Sequence, residues 1–233
     1  MSVAVDSVAR VLGLVKGPLQ GVDLEVPGGQ LTAVVGLPGS GKSTLVSCVG
    51  GLSRPAHGSV YIGQQQLHRL GDAALTRVRR DRIGYVFATS SLLPLSVAQN
   101  ILIGHELAGR RPDRGWFDTV VRLLELRHLL KTRPETLTTL ERQRVACARA
   151  FMNRPDVVLA DEPTGELDQR DAGELLGFLR MWVRKLDQSI LMVTSEPRVA
   201  AHADQVFLLR AGRIEGRIER PTVGTVSAAL ERS

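Results

Sequence analysis

Eight consecutive residues, Gly36-Leu37-Pro38-Gly39-Ser40-Gly41-Lys42-Ser43, restrict what this chain can fold into more than any others. They fit the pattern G-x-x-x-x-G-K-[ST] in full. The apolar run 31–35 precedes them and a helical pattern over 42–49 follows. Strand, glycine-rich turn and helix in that order open an α/β unit with a parallel sheet. The chemistry explains the residue types. Gly36, Gly39 and Gly41, with Pro38 and Ser40 between them, let the backbone curl so that successive amides converge on an anion. The helix that starts at Lys42 adds unpaired amides and the positive end of its dipole. Lys42 is placed for the β- and γ-phosphates of a nucleoside triphosphate, Ser43 for Mg²⁺ and Thr44 for the α-phosphate.

A second segment complements the loop. Val157-Val158-Leu159-Ala160-Asp161-Glu162 reads as a buried strand that ends in two carboxylates. Asp161 is placed to hold Mg²⁺ through water. Glu162, one residue on and pointing elsewhere, can polarise a water in line with the γ-phosphate.

Around these anchors the pattern alternates between strands and helices. Residues 22–26 alternate apolar and polar with period two, as in a half-exposed antiparallel strand. Residues 60–62 and 83–87 read as strands. Residues 67–82 read as one helix or two short ones. From 89 to 154 β-branched clusters thin out and apolar residues recur at three and four, with Trp116, Val120, Val121, Leu123 and Leu124 on one stripe. The α/β pattern then resumes with a helix over 172–185, a strand over 189–194 and a hairpin around Ala211-Gly212. A turn and short helix from Pro221 complete it. The 233 residues suffice for one domain with an inserted subdomain.

Composition removes several classes of function. No window approaches the ~18 apolar residues of a bilayer-spanning helix. The first ten residues lack the basic-then-apolar pattern of a secretory signal. Cys48 and Cys147 are too few for a disulfide framework and read as buried thiols of a reducing compartment. The net charge of +6 comes mainly from scattered arginines, with one dense patch at Arg77, Arg79, Arg80 and Arg82. That patch reads first as a solvated helix end and second as a contact for lipid or nucleic-acid phosphate. Aromatics at 4% leave no stacking platform for single-stranded nucleic acid, and no nucleic-acid partner is expected.

Taken with the two anchors, further segments make the chain resemble the ATP-binding subunit of an ABC transporter. Its nearest likeness is the branch of macrolide exporters, lipoprotein-release systems and FtsEX-type complexes. The resemblance runs over 22–219 and rests on Leu52-Ser53-Arg54-Pro55, on 80–87, on Leu92-Leu93-Pro94 with Asn100, on Gln143-Arg144-Val145-Ala146, and on LADEPTGELD at 159–168. It implies an α/β fold, a P-loop NTPase core of ABC type with an N-terminal antiparallel β subdomain and an inserted helical subdomain. The implied division is 1–88 and 155–220 for the core with its β subdomain, 89–154 for the helical subdomain and 221–233 for the tail. It implies ATP and Mg²⁺ as cofactors and a second ABC ATPase subunit, identical or not, whose signature segment closes over each ATP. It further implies a separate integral membrane permease and a cytoplasmic location at the inner face of the membrane. Asp168 lies in the loop that crosses to the other subunit, and Thr138 stands at the signature serine.

Four positions depart from the family. Ala88 replaces the Gln that touches Mg²⁺ and the attacking water, and it has no donor or acceptor. Thr139 and Leu140 replace signature glycines, and Leu140 is expected to face the partner's γ-phosphate with an apolar side chain. Ser195 replaces the switch His. No aromatic is evident for adenine, and Leu12 or a neighbour is expected as an aliphatic platform. These departures predict an ATP-binding subunit with weak hydrolysis. The other reading is a soluble ATP-binding clamp or regulator outside transport.

Overall fold

The computed structural model describes residues 7–231. The reading of the first residues as lacking a signal pattern lies partly outside them, as do the last two residues of the tail. In chain order the elements are β1 (Ser7–Lys16), β2 (Leu19–Pro27), β3 (Leu31–Val35), α1 (Lys42–Val49), β4 (His57–Ile62), β5 (Gln65–Gln66), α2 (Asp72–Arg82) and β6 (Ile83–Phe87). Three helices follow, α3 (Val97–Leu107), α4 (Arg114–Leu123) and α5 (Thr139–Phe151). The chain then forms β7 (Val157–Asp161), α6 (Gln169–Leu186), β8 (Ile190–Thr194), α7 (Pro197–Ala200), β9 (Gln205–Arg210), β10 (Arg213–Glu219) and α8 (Val223–Glu231).

Two sheets result. The larger runs β10-β9-β3-β8-β7-β6, parallel from β9 to β6, with β10 antiparallel at its edge. The smaller, β2-β1-β4-β5, is antiparallel. This is the fold class expected from the sequence.

The parallel strands are apolar on both faces because both faces are covered. Alternation sends Ala33, Val35, Val158, Ala160, Ile190 and Met192 into a core shared with α6 and the inserted helices α3, α4 and α5. Their neighbours Val34, Val157, Leu159, Leu191 and Val193 enter a second core with α1 and the antiparallel sheet. In β2 the expected alternation holds: Val22, Leu24 and Val26 are buried while Asp23 and Glu25 are exposed.

The inserted helices join the first core through large aromatics. Trp182 of α6 is fully buried, stacks on Phe151 of α5 at 4.0 Å between centroids and meets the edge of Trp116 of α4 at 5.9 Å. Arg144 of α5 is also buried, which requires partners. It pairs with Glu174 and with Glu125 and lies over the Phe178 ring.

Candidate nucleotide-binding site

The phosphate loop leaves the C-terminal end of β3, where a parallel sheet opens its crevice to ligands. Its glycines are needed on steric grounds at two places. A Cβ on Gly36 would lie 2.3 Å from the Leu209 carbonyl oxygen, and Gly41 sits at φ 105° with the Leu19 side chain 2.6 Å from where its Cβ would be. Gly41 caps α1 without a side chain, so no side-chain oxygen occupies the first-turn amides there.

Lys42 is buried, and its Nζ donates to the carbonyl oxygens of Gly36 (2.8 Å) and Leu37 (3.2 Å). The same ammonium lies 3.9 Å from Glu162 Oε1. Ser43 Oγ donates to Asp161 Oδ1 at 3.1 Å across the gap between α1 and β7. A cleft of about 580 Å³ brings together Pro38, Gly39, Gly41, Lys42, Ser43, Thr44 and Glu162, with Pro18, Gly165, Ser195 and Glu196 at its other walls. Ser40 Oγ is buried in the loop with no hydrogen-bond partner.

Asp161 and Glu162 diverge because the chain changes hand between them. Glu162 has φ 47°, in the left-handed region, where a non-glycine residue is strained and often functional. Its amide donates to the Val193 carbonyl and its carbonyl accepts from the Gly165 amide. Burial raises the Asp161 carboxyl above its ordinary pKa. The Ser43 hydroxyl counters this, the Glu162 charge adds to it and Lys42 opposes it. A half-buried carboxylate and a hydroxyl form a hard-oxygen pair, which suits Mg²⁺ completed by phosphate and water. The residues present therefore fit the ion.

A raised carboxylate pKa means that the folded chain takes up this proton more readily than the unfolded chain. Its contribution to stability is present below the unfolded carboxylate range and is lost as pH rises through the folded value. Ionised Asp161 is thus a cost to the nucleotide-free fold at neutral pH. Asp161→Asn is expected to raise the melting temperature at pH 7, by about 2–4 °C for each kcal/mol relieved. The gain should shrink toward acid pH, while MgATP binding weakens. Melting curves over pH, with and without MgATP, check both parts.

The remaining sequence-derived positions fall into three groups. Ser195 lines the cleft beside Glu162, and Ala88 abuts Gly165, with 3.4 Å from its Cβ to a Cβ built there. Asp168 caps α6 by accepting from the Asp171 amide at 2.9 Å. Thr138 caps α5 in a reciprocal box, accepting from the Glu141 amide while Glu141 accepts from the Thr138 amide. Leu12, on β1, is 45% exposed.

Leu140 corrects the sequence reading. Its side chain does not face outward from the signature segment. It is 7% exposed and belongs to the core formed with Leu137, Val145 and other residues of the inserted helices. The second residue of this capped helix looks back into the bundle, so the bulk expected at the subunit interface goes into packing. Only Thr139 of the pair retains partial exposure.

Gln143 has a role beyond its place in the segment 143–146. Its Nε2 donates to the Phe87 carbonyl at 2.6 Å and to the Pro163 carbonyl at 2.9 Å. One buried amide thus ties α5 to the strand end before Ala88 and to the segment after Glu162. The signal was present, since a Gln on the inward side of a helix needs buried partners.

A family model described as ABC transporter matches residues 19–165. The Macrolide export ATP-binding/permease protein MacB 1 of Yersinia pestis bv. Antiqua (strain Antiqua) is 37% identical over 199 residues, covering 84% of this chain and 30% of that protein. The Macrolide export ATP-binding/permease protein MacB of Burkholderia pseudomallei (strain 1710b) is 36% identical over 220 residues, covering 92% and 33%. The chain therefore spans about a third of the length of the curated relatives it matches. Among solved structures, the dimeric structure of MJ0796, a bacterial ABC transporter cassette, superposes with a TM-score of 0.82 at 28% identity over 92% of this chain and 99% of that one. A dimeric post-hydrolysis state of the same cassette, bound to ADP and Pi, gives 0.81 with the same identity and coverage.

Proposed function

The chain belongs to the ABC transporter family, and on that premise we propose that it binds MgATP, hydrolyses it weakly, and couples the binding to a membrane permease. The observation that carries this reading is the contrast within one cleft. Ser43 is bonded to Asp161, and Lys42 is held by the loop carbonyls 3.9 Å from Glu162. The positions that would order an attacking water around Glu162 hold Ala88 and Ser195.

In this reading Lys42 turns its ammonium from the loop carbonyls to the β- and γ-phosphates. Ser43 and Asp161 would hold Mg²⁺, Asp161 through water, and the ion would supply charge neutralisation for the phosphates. The amides of 39–44 receive the phosphates, and Leu12 supports the base. Glu162 takes the proton of the attacking water at a carboxylate oxygen. Without a Gln or His to orient that water, the in-line geometry is rarely met, and a misplacement of about 1 Å can cost a hundredfold.

Pairing follows from the same arrangement. Two cassettes set head to tail would place Thr138 and the capped start of α5 over the other subunit's phosphate loop, with Asp168 at the crossing. The described residues contain no helix long and apolar enough to cross a membrane, so transport requires a permease beyond them. The location proposed for the cassette is the cytoplasmic face of that membrane.

Titration calorimetry with MgATP tests the reading. Saturable binding is expected, with phosphate release well below ~1 s⁻¹, the low end of ordinary turnover. Lys42→Ala removes charged hydrogen bonds worth about 1.5–3 kcal/mol and should weaken binding at least about tenfold. No heat of binding from a folded wild-type sample would defeat the proposal.

A further inference from the structure

The arginines near the end of α2 are divided by the fold into two sets. Arg82 turns inward to Asp156, the Ile62 carbonyl and Gln65. The others stay outside the buried side of α2, which is formed by Leu75 and Val78. Arg77 donates to the Ala73 carbonyl at 3.4 Å and Arg79 to the Thr76 hydroxyl at 3.2 Å, both within the helix. Arg80 clasps Asp81 at 2.7 and 2.9 Å. The same carboxylate is held at 2.8 and 3.2 Å by Arg110, from the turn after α3. Arg111 follows, exposed.

This clasp joins the ends of two helices into one face. Arg80 and Arg110 share Asp81, Arg77, Arg79 and Arg111 pair with no carboxylate among the described residues, and Glu106 is the other carboxylate on the adjoining turn of α3. Asp113 is taken up by Arg154 at 3.0 Å. At the end of α3, three residues before Arg110, Leu107 is 82% exposed. A single exposed leucine is ordinary. One set among guanidinium groups at a helix end has the composition of a surface that lies in a membrane interface, with an apolar side chain below and cations at headgroup level.

The face also stands clear of the nucleotide. The end of α2 leads directly into the start of β6, which runs parallel to β3 through β7 and β8. It therefore lies toward the end of the parallel strands opposite the one where the phosphate loop leaves β3. We propose that this face seats on an anionic lipid surface. Arg77, Arg79, Arg80, Arg110 and Arg111 meet headgroup phosphates, whose planar oxygen pairs match a guanidinium fork. Leu107 enters the boundary between headgroups and acyl chains. A nucleic-acid backbone would satisfy the arginines but would have no use for Leu107.

Co-sedimentation with vesicles tests this. The 233-residue chain is mixed with phosphatidylcholine vesicles, with vesicles containing phosphatidylglycerol, and separately with duplex DNA. Binding to the anionic vesicles is expected to exceed binding to the neutral ones at least tenfold and to fall at high salt. The variant Arg77→Gln/Arg79→Gln/Arg111→Gln removes three cations that pair with no carboxylate among the described residues, so its fold and MgATP binding should persist. Each loss should weaken vesicle binding about fivefold. Leu107→Ser should weaken it several-fold with the charge unchanged. Equal binding to neutral and anionic vesicles, or full binding by either variant, overturns the proposal. So does arginine-dependent binding to DNA without binding to vesicles.

Discussion

Leu140→Gly is expected to lower the melting temperature by roughly 6–16 °C and to bring no gain in nucleotide-driven pairing. In the sequence this substitution looks like a repair, since it restores a signature glycine. The structure makes it a core deletion. Leu140 is 7% exposed among Leu137, Val145 and the other apolar residues of the inserted helices. Truncating a buried leucine to alanine costs about 2–5 kcal/mol. Glycine in place of alanine in a helix adds up to about 1 kcal/mol, somewhat less in a first turn that Thr138 and Glu141 already cap. The middle of that combined span, about 3–4 kcal/mol, at 2–4 °C per kcal/mol gives the stated range. Thr139→Gly should be far milder, because that side chain is partly exposed and gives up one 3.3 Å hydrogen bond from Arg142. Thermal melts of the two variants decide it. Equal, small shifts would mean that Leu140 is not packed as the structure shows.

The contrast marks where the sequence was informative. Motifs whose spacing is dictated by chemistry were readable, because the loop at 36–43 and the paired carboxylates at 161 and 162 have few other uses. Strands buried on both faces, such as β3, β7 and β8, stood out as short continuous apolar runs. Strand β1 did not. Gly13 breaks its alternation, and its pairing with β2 slips register near Leu14, so no period of two survives. The sequence pattern places the start of α6 at 172 because its first turn is polar, and the capping bond that the Asp171 amide donates to Asp168 marks the start at Gln169. Leu140 failed for a different reason. A motif gives position along the chain but not the direction of a side chain, and the capping box at Thr138 fixes that direction. The arginine patch was legible as charge, yet only the fold separates Arg82, bound to Asp156, from the arginines left facing out.

The reversion that tests impaired hydrolysis must therefore leave Leu140 in place. Ala88→Gln, Ser195→His and Thr139→Gly together are expected to raise phosphate release at saturating MgATP at least about tenfold, or ~1.4 kcal/mol of barrier. The structure leaves room for this. Ala88 rests against Gly165, which has no side chain and itself borders the cleft, so a longer side chain at 88 can extend over it. Ser195 lines the same cleft as Glu162, and an imidazole there adds a donor within it. In a pair of cassettes each composite site would need all three changes. Its Gln and His come from the chain that supplies Lys42, and its freed signature backbone comes from the other. Single reversions should gain little, and their effects should be far from additive. Glu162→Gln in the reverted background keeps the size and removes the base, a loss of about 10²–10⁴ in general-base catalysis. It should abolish the gained turnover while MgATP binding remains. Wild type that already turns over at ~1 s⁻¹ or faster, or a triple variant that gains nothing, would show that Ala88, Ser195 and Thr139 are neutral around a working Glu162. The strained backbone at Glu162, φ 47°, would then be the feature that keeps its carboxylate in line.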